Sequence, residues 1–96
     1  MAAYVIVQVN ITDPEKYDAY KPMAAAAVAQ YGGRYLARGG AVEDLEGKLP
    51  HQRVVVLEFP SMDAARTWYR SPEYQAAKAV REGAGEGYFT AVEGLA

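Results

Sequence analysis

The sequence predicts an α+β fold: a single sheet of four strands with helices on one side. Three observations carry that prediction. Two runs rich in β-branched residues, 4–11 and 52–59, have strand character, with apolar residues alternating along part of their length. Stretches of helical periodicity follow both, each opened by a capping residue with proline nearby. Glycine pairs and Gly-x-Gly runs then punctuate the chain where helices must end and strands turn.

Tyr4–Ile11 is the first strand. In Thr12-Asp13-Pro14-Glu15, Asp13 can accept from the first free backbone N–H groups, and Pro14 suits the first helical position. The helix that follows puts Tyr17, Tyr20, Ala24, Ala27, Val28 and Tyr31 on one face, and Gly32-Gly33 ends it. Pro22 falls inside this helix, where it removes a hydrogen bond to Asp18 at a cost of about 3 kcal/mol, and a kink is expected. Arg34–Arg38 is the second strand, with Gly39-Gly40 marking a bulge or bend. The chain then runs extended through Ala41–Leu45 and turns within Glu46–His51. Gln52–Phe59 is the third strand, stopped by Pro60-Ser61. Ser61 caps a short helix from Met62 to Arg70, and Ser71-Pro72-Glu73 opens another that reaches Glu82. Gly83, Gly85 and Gly87 read as a flexible link before a fourth strand, Tyr88–Val92. The order β-α-β-β-α-α-β, joined by right-handed crossovers, gives a ferredoxin-like sheet with strand order 4-1-3-2.

At 96 residues the chain has the size of one domain, residues 1–96, and is too short for two independent cores. It is 51% hydrophobic and 23% charged, the balance of a globular protein. No cysteine is present, which favours a reducing compartment, and the cytoplasm is the expected location. The N-terminus shows no basic leader, and no run approaches a membrane span, so no membrane partner is expected. Net charge is −2 with scattered basic residues, which disfavours nucleic acid. The third strand also lacks the stacking aromatics of an RNA-recognition sheet. One histidine and no cysteine rule out a thiolate or multi-histidine metal site within one chain, so no metal is expected and no cofactor is implied. Gly83-Ala84-Gly85-Glu86-Gly87 has the composition of a phosphate loop but leads into a strand, where such a loop must open a helix.

Strand parity points to a partner. Val5, Val7, Val9 and Ile11 take one face of the first strand; Tyr4, Ile6, Gln8 and Asn10 take the other. In the third strand Val55, Leu57 and Phe59 oppose Val54, Val56 and Glu58. The helices can cover only one face, so the other leaves a patch of several hundred Å², more than monomers usually expose. A two-fold homodimer through the open sheet face closes it.

A family resemblance runs nearly end to end. It rests on Asp13-Pro14 with Tyr17 and Tyr20, on Leu36-Ala37-Arg38-Gly39-Gly40 with Leu45-Glu46-Gly47, and on Arg53-Val54-Val55-Val56-Leu57-Glu58-Phe59-Pro60-Ser61. Ser71-Pro72-Glu73-Tyr74-Gln75, Arg81 and Val92-Glu93-Gly94 complete it. These residues resemble an uncharacterised bacterial family of the dimeric α/β-barrel superfamily. The resemblance implies that fold and a dimer, and it implies no particular reaction. Relatives in the superfamily include cofactor-independent monooxygenases, haem-degrading enzymes, muconolactone isomerases and ligand sensors.

Two sets of candidate site residues emerge. A hairpin centred near Lys48 puts Arg38 opposite Glu58; a bulge would shift the pair by one position. Arg38 would then hold an anionic group while Glu58 acts as base or acceptor; an ordinary cross-strand ion pair is the plainer reading. The second set is Tyr20, Trp68, Ser71 and Tyr74, with Tyr17 and Tyr69: aromatics with polar handles between helices and sheet, fit to line a small-molecule cleft or simply to pack a core. His51, in a loop, is a catalytic candidate only if that loop folds over a pocket. Arg66, Arg70, Lys78 and Arg81 read as solvated faces, with Arg81 able to reach Glu58 or a ligand anion. The expected function is a small-molecule-binding homodimer. The alternative is a cofactor-independent, monooxygenase- or isomerase-like enzyme acting on an aromatic or quinone-like compound, with Glu58 or His51 moving the proton.

Overall fold

The computed structural model describes residues 1–51 and 53–95. Its elements are β1 (Ala3–Ile11), α1 (Pro14–Gln30), β2 (Arg34–Arg38), β3 (Arg53–Phe59), α2 (Met62–Arg70), α3 (Pro72–Arg81) and β4 (Gly85–Glu93). The strands form one sheet in the order β2-β3-β1-β4, every neighbouring pair antiparallel. This is the expected 4-1-3-2 order of a ferredoxin-like α+β fold. Gln52, the expected first residue of the third strand, lies outside the described residues.

Local chemistry sets the boundaries. The Asp13 carboxylate accepts from Lys16 N–H at 3.2 Å and starts α1 with Pro14 in its first turn. The helix continues through Pro22 to Gln30, its buried face formed by Tyr17, Tyr20, Ala24, Ala27 and Val28. Ser61 Oγ accepts from Ala64 N–H at 3.0 Å to open α2. Ser71 joins the next two elements: its hydroxyl donates to the Trp68 carbonyl at 2.6 Å and accepts from Tyr74 N–H at 3.1 Å. One short side chain thereby ends α2 and begins α3.

Val5, Val7 and Val9 of β1 meet Val55, Leu57 and Phe59 of β3 beneath these helices, with Trp68, Tyr74 and Ala77 above them. Burying one such Val, Leu or Phe is worth roughly 1.5–3 kcal/mol, so this layer is the main source of cohesion. The opposite face carries Ile6, Val54, Val56, Tyr88 and Val92, and no element of the described chain covers it as the helices cover the first. Ile6 remains 38% exposed, Val92 47% and Tyr88 58%. The molecule is accordingly a slab, 34 × 32 Å across and 16 Å deep.

Two expectations are corrected. The fourth strand begins at Gly85, three residues before Tyr88, so Gly85 and Gly87 belong to the sheet. A Cβ on Gly87 would stand 2.7 Å from the Gln8 carbonyl oxygen, and one on Gly85 would strike that of Asn10. The glycines allow β4 to lie this close to β1. The second correction concerns register. Arg34, not Arg38, lies opposite Glu58, while Arg38 lies opposite Val55. A bulge at Leu36, between Tyr35 and Ala37, adds one residue to β2, and the hairpin axis falls at Glu46–Gly47 instead of Lys48.

Candidate functional site

The bulge decides which side chains share a face. Without it, Tyr35 and Arg38 would point to opposite sides of the sheet. With it, Tyr35 opposite Leu57 and Arg38 opposite Val55 both face the helices. The Arg38 guanidinium lies over the Tyr35 ring at 4.5 Å. Arg53, two residues before Val55, belongs to the same face and stands 5.5 Å from the Tyr17 ring centroid.

These residues rim a cleft between α1 and the sheet. Its lining comprises Tyr17, Tyr20, Lys21 and Ala24 of α1, Tyr35 and Arg38 of β2, Arg53, Val55 and Leu57 of β3, Val7 of β1, Phe89 of β4 and Trp68 of α2. The cleft's own side chains nearly fill it. About 30 Å³ remains, room for one or two waters.

Charge in the cleft is one-sided. Lys21, Arg38 and Arg53 line it, and no carboxylate is among the described lining residues. Lys21 reaches outward to Asp18 at 3.1 Å, while neither Arg38 nor Arg53 forms an ion pair among the described residues. Arg53 Nε and Trp68 Nε1 are both buried without a hydrogen-bond partner there. Buried donors are normally satisfied, and both of these belong to side chains of the cleft lining.

Behind the cleft, the hydroxyls of Tyr20 and Tyr74 meet at 2.9 Å with their rings edge to face. Burial pushes both phenols above their ordinary range. Proximity to Tyr74 raises Tyr20 further, and the Arg81 guanidinium pulls back on both. The pair is therefore a neutral hydrogen-bonded clamp at physiological pH. Burial likewise raises Tyr35, against the pull of Arg38. Arg81 sits over the Phe89 and Tyr20 rings at 4.8 and 5.5 Å, so it belongs to the helix side of the sheet and does not reach Glu58.

The structure thus brings Tyr20, Arg38 and Trp68 together on one cleft, with Tyr74 directly behind Tyr20. Ser71 is committed to its two backbone bonds. Glu58 lies on the other face, where it accepts from Arg34 Nε at 2.5 Å. His51 stacks on Tyr88 of β4 at 5.4 Å, on that same open side. Tyr35, Arg53 and Phe89 are lining residues that sequence reasoning did not single out. Parity alone could have found Arg53, which alternates with Val55, Leu57 and Phe59. Among the described residues no group of three or more His, Asp or Glu side chains could hold a metal ion. No helix there is long and apolar enough to cross a membrane.

An antiparallel sheet with helices on one face and an aromatic, cationic cleft between the layers places the chain in the ferredoxin-like α+β class. Over residues 2–95 it matches the model of a domain of unknown function, DUF1330, and it belongs to that family. A protein of unknown function from Rhodopseudomonas palustris superposes with a TM-score of 0.80 at 20% identity, over 99% of this chain and 83% of its own. A dimeric ferredoxin-like protein of unknown function from Jannaschia sp. CCS1 gives 0.67 at 16%, over 98% and 100%. SnoaB, a cofactor-independent oxygenase from Streptomyces nogalater, gives 0.66 at 10%, over 99% and 94%. At such identities the likeness establishes the fold. No curated protein matches the sequence.

Proposed function

We propose that the chain acts in the cytoplasm as a single-domain homodimer that binds a small molecule in the cleft between α1 and the sheet. The observation that carries the binding is the bulge at Leu36, which turns Arg38 onto the aromatic face beside Arg53 and Tyr35. Bulges that re-aim a side chain cluster at functional sites. The unpartnered donors of Arg53 and Trp68 add to it.

The dimer rests on the open face. A compact protein of 10.4 kDa exposes about 5,400 Å², whereas this chain exposes 5898 Å². The excess accords with a slab whose second face is uncovered. Its 34 × 32 Å breadth can supply the roughly 800 Å² per partner of a stable interface. A second copy offers the same apolar strip of Ile6, Val56 and Val92, and the Jannaschia relative is described as dimeric. An enzymatic role draws less support, because no carboxylate or imidazole is among the residues lining the cleft, and Glu58 and His51 lie across the sheet.

Trp68, the only tryptophan of the chain, lines the cleft and serves as reporter. A panel of ring-bearing metabolites titrated against the protein should include compounds that shift Trp68 fluorescence saturably and raise the melting temperature. Tyr35→Leu should weaken those compounds. A panel without a binder, or binders indifferent to Tyr35→Leu, would place the function elsewhere.

A further inference from the structure

We infer that the ligand of this cleft is an aromatic carboxylate, its carboxylate held by Arg38 and Arg53 and its ring against Tyr35 and Trp68. The inference rests on the small-molecule reading above and adds the ligand's chemical class. Four observations lead to it. Among the described residues the cleft lining holds Lys21, Arg38 and Arg53 and no carboxylate; Lys21 is paired with Asp18, so an entering anion would neutralise the charge of the two arginines. The two arginines come from adjacent strands and form no ion pair among the described residues, although arginine forks match carboxylates bidentately. Arg53 Nε is buried and has no hydrogen-bond partner among the described residues; it is the donor that a bidentate carboxylate would use together with a terminal nitrogen. Aromatic rings form much of the remaining wall, the lining suited to a flat ring.

Gly39 is part of the same device. Its φ is +70°, and a Cβ there would collide with the Arg53 guanidinium. The glycine after β2 therefore keeps open the space that Arg53 occupies beside Arg38. Because only about 30 Å³ is free, the ligand must displace Arg38 from Tyr35 on entry. Arg38 is exposed and forms no ion pair among the described residues, so that movement breaks none there.

The test compares benzoate and 2-naphthoate with their carboxamides, and with inorganic phosphate, by calorimetry on the intact protein. One carboxylate should bind about tenfold or more tighter than its amide, the margin expected of a charge-assisted fork. Arg38→Gln, a change at an exposed position, should abolish most of that preference, and Arg53→Lys should reduce it. Equal binding of acid and amide would overturn the carboxylate assignment while leaving a small-molecule site. Phosphate competing as well as the aromatic acids would also overturn it, making the cleft a general anion site. Binding of neutral rings alone would do the same. Failure of every compound in the wider panel would remove the cleft reading itself.

Discussion

Replacing Tyr74 by phenylalanine deletes one oxygen from a buried pair and leaves the Tyr20 hydroxyl facing a ring. Tyr74 is fully buried and Tyr20 nearly so, with 2.9 Å between their oxygens. A buried hydroxyl left without a partner costs about 1–3 kcal/mol. Tyr20 also lines the cleft, whose remaining space can admit a water, so the cost should fall in the lower half of that range, about 1–2 kcal/mol. For a chain of this size each kcal/mol lowers the melting temperature by about 4–8 °C. Tyr20→Phe should cost less, because Arg81 stands close enough to bond the Tyr74 hydroxyl that remains. The double replacement should cost no more than Tyr74→Phe alone, giving a coupling of about 1 kcal/mol. Urea denaturation at one fixed protein concentration measures all four corners of the cycle. Strictly additive losses would refute the clamp, showing that the two hydroxyls do not depend on one another.

Three further outcomes follow from the same geometry. Gly39→Ala should destabilise by about 1–2 kcal/mol from its left-handed backbone, while the tip of the flexible Arg53 side chain swings aside; thermal melting of the variant checks this. A cycle of Arg34→Gln with Glu58→Gln should show a coupling below about 1 kcal/mol, since Arg34 is 71% exposed, whereas Arg38→Gln with Glu58→Gln should show none. Coupling through Arg38 would contradict the bulged register. Alkaline pH should unfold the protein, because burial raises Tyr20 and Tyr74 above the ordinary 10.0. The folded state then holds protons that the unfolded state releases, so their contribution is intact below pH 10 and falls as pH rises, by about 1.4 kcal/mol per unit for each tyrosine. Tyrosinate absorbance from these two residues should appear together with loss of circular dichroism, and its appearance in a folded protein would contradict their burial.

Much of this architecture is written in short-range chemistry. Asp13-Pro14, Ser61 and Ser71-Pro72 open helices where the caps require, and five of the six residues that the 3.6-residue period places on one face of α1 are buried; the sixth, Tyr31, falls just past the helix, half-buried. Parity identified the buried faces of β1 and β3, because alternation in a strand admits only two outcomes. Register was harder to read. The insertion at Leu36 carries no local signal, since leucine is an ordinary strand residue; the bend expected at Gly39-Gly40 is present at Gly39, but the bulge lies three residues before it. The shifted hairpin axis moved Arg38 away from Glu58, and the inserted residue then turned it onto the helix side. Gly85 and Gly87 misled for a related reason. Glycine marks either a flexible link or a close backbone approach, and only the neighbouring strand distinguishes them. Of the candidate site, Tyr20, Arg38 and Trp68 were legible as chemistry, but their meeting with Arg53 and Tyr35 depends on pairing across strands.

Sedimentation of the purified protein at micromolar concentration probes the uncovered sheet face. A particle of twice 10.4 kDa is predicted, reduced to one protomer by Val56→Lys with the circular dichroism retained. A wild-type protein that sediments as a single 10.4 kDa chain, with Ile6 and Val56 in water, would contradict the pairing of two sheets.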